Sequence, residues 1–259
     1  MTLLETKGLS INFGELWAVD TIDFHINENE TIGLIGPNGS GKTTFFNLVS
    51  MIYKPSRGTI HFKGQDVTSM LPHEAREIGI ARTFQSSKLL WDLSVLDNVL
   101  SGMFVKQKSN WFDLLFNKRR VDNEIKAGIE KALELLNFFN PDLIERRFDK
   151  AENIPHIDRR RVEICRALAS EPALLLLDEP SAGLNREETK SMMEDIGKIR
   201  EQQKNLSVII IEHDMSVISG VSDRCFALNY GKKICEGSFG EVSANVEVRQ
   251  AYLGEEAAC

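Results

Sequence analysis

The run Gly36-Pro37-Asn38-Gly39-Ser40-Gly41-Lys42-Thr43 constrains this chain more than any other stretch. It has the form Gly, four residues, Gly-Lys-Thr, which is the pattern of a phosphate-binding loop. Its surroundings agree. Thr31-Ile32-Gly33-Leu34-Ile35 before it reads as a short buried strand, and Thr44 to Val49 after it reads as the start of a helix. Glycines let backbone N–H groups close around phosphate oxygens with no Cβ in the way. A helix N-terminus adds positive partial charge at the same place. On this reading Lys42 reaches the β- and γ-phosphates and the Thr43 hydroxyl ligates Mg²⁺.

A chain of 259 residues can bury a real core, in one large domain or two small ones. Net charge is −7 and the isoelectric point near 5.4, so no global basic field invites nucleic acid. The basic runs Lys118-Arg119-Arg120 and Arg159-Arg160-Arg161 read as solvated helix faces. Cys165, Cys225, Cys235 and Cys259 have no metal or redox spacing and read as reduced, structural thiols. The N-terminus carries no signal-peptide pattern, and no apolar run approaches the roughly 18 residues a membrane helix needs. A membrane role therefore calls for a partner subunit.

From Leu3 to Ile26 the chain reads as short strands, with Ile22, Phe24 and Ile26 alternating with Asp23 and His25. Thr59 to Phe62 is a strand, Gly64 to Asp66 a turn, Pro72 to Ile78 a short helix, and Ile80 to Phe84 a strand that delivers Gln85. Ser94 to Asp97 resembles a capping box opening a helix to about Phe104. Lys106 to Lys118 breaks the periodicity, yet carries Trp111, Phe112, Leu114, Leu115 and Phe116, either a satellite core or a partner- or membrane-facing surface. A long amphipathic helix follows, on Val121, Ile125, Ile129, Leu133 and Leu136.

The chemistry-bearing carboxylates come later. Ala173 to Leu177 is an apolar strand ending in Asp178-Glu179-Pro180, and unpaired buried charge is costly enough to call for a reason. With the phosphate loop upstream, Asp178 suits a direct or water-bridged contact to Mg²⁺. Glu179 is then placed to polarise an attacking water. Ser207 to Ile211 is another strand, delivering His213 where it can hydrogen-bond a γ-phosphate, and Asn229 to Lys232 is a hairpin turn.

In this order the pieces resemble an ABC transporter ATP-binding subunit over nearly the whole chain. The resemblance rests on Gly36 to Thr44, Gln85, Leu174 to Pro180, Ser181-Ala182-Gly183-Leu184-Asn185 and His213. Ile35 to Gly39, Gly79 to Gln85, Ile211 to Met215, Leu228 to Lys232 and Ala251-Tyr252-Leu253-Gly254-Glu255 bring it close to the branched-chain amino acid branch. It implies an α/β fold: one ABC ATPase domain with a P-loop NTPase, RecA-like core, an antiparallel β subdomain, and a helical subdomain near residues 86–160 with an insertion near 105–125. It implies ATP and Mg²⁺ as ligands, with Asn38, Gly39, Ser40, Gly41, Lys42, Thr43 and Thr44 on the nucleotide and Phe13 stacked on adenine. Thr43, Gln85 and Asp178 serve the metal; Glu179, His213 and Gln85 serve hydrolysis. It implies transmembrane permease subunits as partners, no nucleic acid, and a peripheral place on the cytoplasmic face of the cell membrane. Two ATPase subunits would sandwich two ATP molecules, each between one phosphate loop and the other subunit's signature motif.

One departure is serious. Where the family signature reads Leu-Ser-Gly-Gly-Gln, or Leu-Ser-Tyr-Gly-Gln in this branch, the chain has Ile154-Pro155-His156-Ile157-Asp158. The Ser hydroxyl is gone, Pro155 lacks an N–H, Ile157 fills space a Gly leaves open, and Asp158 brings negative charge toward an anion. An intact phosphate loop beside a damaged signature predicts a heterodimer whose second ATPase subunit supplies the good signature. The alternatives are a nucleotide-binding regulatory subunit with little turnover, and a soluble ABC ATPase acting on DNA or ribosomes. The second lacks support in the acidic isoelectric point and the single nucleotide-binding domain.

Overall fold

The computed structural model describes residues 1–85, 88–104, 117–212 and 215–256. They divide into two compact units, one of residues 1–82 with 173–259 and the other of residues 83–172.

In the first unit, β1 (Thr2–Phe13) and β2 (Leu16–Asn27) form an antiparallel hairpin in which Phe13 faces Leu16. The expected short strands are thus two of 12 residues each. Slips in register between Thr2 and Leu4, and again from Thr6 to Asn12, disguise the continuity of β1. The alternation in β2 holds, with Ile22, Phe24 and Ile26 buried and Asp23 and His25 exposed. β4 (Arg57–Phe62) pairs with β1, and the expected turn at Gln65–Asp66 closes the edge as a two-residue strand, β5.

The second sheet of this unit has the order β10 (Lys232–Gly237), β9 (Arg224–Asn229), β3 (Thr31–Ile35), β8 (Ser207–Ile211), β7 (Leu174–Asp178), β6 (Ile80–Arg82). β3, β7 and β8 are buried at every position, as strands covered on both faces must be. With β6 and β9 they run parallel, and β10 adds an antiparallel edge. The core between the sheets contains Phe24, which meets Phe45 and Phe226 edge-on at 5.2 and 5.0 Å. The first unit also carries α1 (Lys42–Val49) and α2 (Pro72–Glu77).

β6 is shorter than the expected Ile80–Phe84 strand, because the chain leaves the sheet for the second unit at Thr83. That unit is helical: α3 (Val95–Ser101), α4 (Lys118–Phe139), α5 (Asp142–Glu145) and α6 (His156–Leu168). Ser94 caps α3 by accepting from Asp97 N at 3.0 Å, as expected, but the helix stops at Ser101 rather than Phe104. α4 buries Ala132, Leu135, Leu136 and Phe139 and leaves Ile125 exposed, so only its C-terminal half is core. Residues 105–116, with the aromatic patch, lie outside the described residues.

The reading of Arg159 to Arg161 as a solvated face is overturned, whereas Lys118 to Arg120 are exposed as expected. Arg160 is buried and pairs with Glu163 at 3.2 Å, and it also donates to the Gln85 carbonyl at 3.1 Å. Arg161 pairs with Asp158 at 3.0 Å, and Arg159 donates to the Ile154 and Glu152 carbonyls. Spacing alone could not distinguish charges that face water from charges that wire a helix to the loops beside it.

The rest of the first unit is α7 (Arg186–Gln202), α8 (Met215–Ser219), α9 (Phe239–Ala244) and α10 (Val246–Glu256). Asn185 and Glu188 form a reciprocal capping box on α7, each side chain accepting from backbone N–H of the other's turn. Among the described residues no helix is long and apolar enough to cross a membrane.

Candidate nucleotide site

The carboxyl ends of β3, β7 and β8 lie along one edge of the sheet, where open α/β sheets take their ligands. The loop after β3 is tight. Gly36 has φ 150°, and a Cβ there would run into the Leu228 carbonyl and lie 2.6 Å from Ser40 Oγ. Gly41 has φ 104°, and a Cβ there would run into the Ala18 carbonyl. Both positions need Gly because backbone from β2 and from the end of β9 presses on the loop. Gly231 N adds a hydrogen bond to the Ser40 carbonyl at 2.9 Å. Tyr230 and Gly231 both have positive φ, the two-residue hairpin turn expected between β9 and β10.

Lys42 opens α1. Its ammonium donates to the carbonyls of Gly36 at 2.6 Å and Pro37 at 2.9 Å, and the residue is 5% exposed. The cation therefore sits curled over the loop, held by neutral acceptors that a phosphate would outbid. Ser40 Oγ is buried with no hydrogen-bond partner among the described residues, a capacity left open inside the loop. Asn38, Gly39 and Thr43 are exposed and Thr44 half-buried. This loop fits a nucleotide's phosphates.

At the end of β7, Asp178 is buried and its Oδ2 accepts from Arg82 at 2.7 Å. Arg82 also donates to Asn47 Oδ1 at 2.6 Å and Ser50 Oγ at 3.2 Å, which ties β7 to α1. Burial pushes the Asp178 carboxyl above the usual carboxylate range, and Arg82 pulls it partly back. Arg82 was not foreseen as part of the site. A charged residue closing a buried strand was the available signal. Glu179 follows at φ 50°, an uncommon conformation for a side-chain-bearing residue, with its N–H on the Ile211 carbonyl at 3.0 Å. Such a strained turn at a strand end is how a carboxylate is aimed away from its own strand. Glu212, also unforeseen, is buried and accepts from Ser181 N at 2.8 Å.

Among the described residues no three His, Cys, Asp or Glu cluster as a metal cage. Thr43 at the loop and Asp178 at the end of β7 are a hydroxyl and a carboxylate, donors of the kind Mg²⁺ takes beside substrate phosphates and water. Phe13 is 48% exposed and meets Tyr53 edge-on at 5.5 Å, so the aromatic surface at that corner has two members. Gln85 belongs to the other unit, three residues beyond the end of β6, and is exposed. His213 lies outside the described residues.

The signature segment corrects one expectation. Asp158 is buried; its Oδ1 accepts from Arg161 and from Asn140 Nδ2 at 3.1 Å. Its charge is spent inside the second unit and is not turned toward an incoming anion. Pro155 and His156 are exposed at the start of α6 and Ile157 is half-buried.

Residues 19–182 match the family described as "ABC transporter". The chain belongs to the ABC transporter family. Residues 232–258 of the cassette match a second family, described as "Branched-chain amino acid ATP-binding cassette transporter". Curated relatives include the high-affinity branched-chain amino acid transport ATP-binding protein LivG of Salmonella typhimurium, 36% identical over 253 residues, 98% of each chain. Another is BraF of Pseudomonas aeruginosa, 33% identical over the same share of each. A solved structure, the ADP conformation of MJ1267, an ATP-binding cassette of an ABC transporter, superposes with TM-score 0.83 at 28% identity, covering 98% of this chain and 99% of that one. The expected family and fold class are both borne out.

Proposed function

We propose that this chain is the ATP-binding and hydrolysing subunit of a membrane importer for branched-chain or related amino acids. The observation that carries the reading is Lys42, buried and held over its own loop by two carbonyls, where bound phosphate would draw it away. The relatives' names supply the transport class.

In this reading Lys42 and the loop N–H groups of residues 38–44 bind the β- and γ-phosphates. Phe13, with Tyr53 beside it, offers a ring face or edge to the adenine. Thr43, Asp178 and Gln85 would hold Mg²⁺, which would supply positive charge against the negative charge that develops on the phosphates. Glu179 accepts a proton from the water that attacks the γ-phosphorus, and ADP leaves with the bridging oxygen. His213 is proposed as a donor to the γ-phosphate. The chain works as one ABC ATPase domain, whose helical subdomain near residues 86–160 falls within the compact unit of residues 83–172. It sits on transmembrane permease subunits at the cytoplasmic face of the membrane, beside a second ATPase subunit.

Two variants test the chemistry. Lys42→Ala should lose tight ATP and ADP binding, measured by calorimetry. Glu179→Gln should bind ATP as the native chain does, while turnover in the assembled transporter falls by two orders of magnitude or so, the scale of a lost general base. Native nucleotide affinity in the first variant, or native turnover in the second, would refute the corresponding assignment.

A further inference from the structure

The motif Ala251 to Glu255 takes no part in the chemistry above, yet one of its residues touches the phosphate loop. The Tyr252 hydroxyl accepts a hydrogen bond from Gly36 N at 2.9 Å, across 216 residues of sequence. Gly36 is buried, so this donor has no easy recourse to water. Its own carbonyl is one of the two that hold Lys42. The peptide groups flanking Gly36 are therefore held on both sides, by Lys42 on the carbonyl and by Tyr252 on the N–H. When a phosphate draws Lys42 off, the tyrosine side of that grip is independent of the lysine.

Tyr252 is carried on α10. Asn245 starts that helix by accepting from Glu247 N at 2.8 Å and Val248 N at 3.2 Å, and Val248 is buried beneath it. Between α10, the loop and the β9–β10 turn lies a cavity of about 520 Å³, lined by Asn38, Ser40, Tyr230, Glu247 and Gln250 among others. The loop thus has room to relax on this side if the hydroxyl lets go.

We propose that Tyr252 is a positioning residue for the phosphate loop: through the Gly36 N–H the C-terminal helix sets nucleotide affinity, and bound nucleotide in turn holds the helix in place. Without the hydroxyl, a buried donor is left unpaired and the loop spends part of its time in conformations that relieve it. Apparent affinity falls in proportion to the fraction of loop that stays competent. Linkage makes the effect reciprocal.

The inference rests on the phosphate loop being the nucleotide site, so the test keeps the two apart. ADP binding is measured by calorimetry on the native chain, Tyr252→Phe and Lys42→Ala, with hydrogen exchange of residues 246–256 followed with and without ADP. Tyr252→Phe should weaken ADP binding roughly two- to tenfold, the range of one net hydrogen bond. In the native chain ADP should slow exchange in α10; in Tyr252→Phe that slowing should vanish. A tyrosine that merely supports the helix would change exchange equally with and without ADP, and that result overturns the proposal. So does equal ADP affinity in native chain and Tyr252→Phe while Lys42→Ala has lost binding. Native ADP affinity in Lys42→Ala overturns the nucleotide-site reading itself.

Discussion

The residue with most at stake in the folded site is Arg82. One guanidinium reaches Asp178 on β7 together with Asn47 on α1 and Ser50 just past its end, and it lies 5.4 Å from the centre of the Phe46 ring. Both members of the ion pair are buried. A buried pair adds little over an apolar pair of the same size, but removing one partner strands the other. Arg82→Ala should therefore cost about 3–5 kcal/mol of stability, read by denaturant unfolding of the nucleotide-free chain. Arg82→Lys should recover only part of this, since an ammonium cannot fork to three acceptors in one plane. A loss under about 1 kcal/mol for Arg82→Ala would show that the pair is replaceable by water. Asp178 was legible as a site residue from its place after an apolar strand. Its counter-ion was not, because the two are 96 residues apart and only the parallel pairing of β6 with β7 brings them together.

Single elements with strong local signals were legible, and those set by contact were not. β3, β7 and β8 each centre on an apolar run, and the loop after β3 announces itself by glycine spacing. The segment 88–93 shows the opposite case. Leu89 and Leu90 look alike in sequence. In the structure Leu89 is buried at 4% exposure, whereas Leu90, Trp91 and Leu93 are 46%, 39% and 42% exposed. Asn98 fixes this difference. Fully buried, it accepts from Leu90 N and donates to the carbonyls of Leu90 and Ser94, which holds the backbone in a turn whose side chains from Leu90 to Leu93 face out while Leu89 before it faces in. A charge at Leu90 and a charge at Leu89 should therefore have different effects. Leu90→Glu, on an apolar groove of about 710 Å³ shared with Leu93, Leu100, Met103, Phe104 and Ile125, should leave nucleotide binding and melting temperature intact and reduce transport and permease pull-down. Leu89→Glu buries an unpaired carboxylate and should lower the melting temperature by many degrees. Transport at the native rate with Leu90→Glu would remove this face from the proposed permease surface.

At the scale of the whole molecule the open question is what faces each phosphate loop across the proposed dimer. Asp158 is held by Arg161 and Asn140, so repulsion by that carboxylate no longer counts against ATP at this chain's signature segment. What remains is steric and chemical. Pro155 offers no hydroxyl and no N–H, and Ile157 carries a branched side chain. The helix behind them is intact: α6 runs 13 residues, and its first intrahelical bond is Arg159 N to the Pro155 carbonyl at 3.0 Å. Its N-terminal partial charge therefore still attracts phosphate. The segment should act as a weakened signature. A lost hydrogen bond to a charged group is worth roughly 1.5–3 kcal/mol, or about 10- to 150-fold in affinity at the closed dimer. Two copies of this chain would suffer that loss at both sites. A heterodimer confines it to one and leaves this chain's Lys42, Asp178 and Glu179 facing a partner's good motif. The purified chain should accordingly be a monomer or weak dimer with slow hydrolysis, measured by light scattering and phosphate release. Pro155→Ser with Ile157→Gly should raise turnover and ATP-dependent dimerisation of the chain on its own. If the unmodified chain hydrolyses ATP briskly and cooperatively by itself, the weakened signature is good enough and the need for a second kind of subunit disappears.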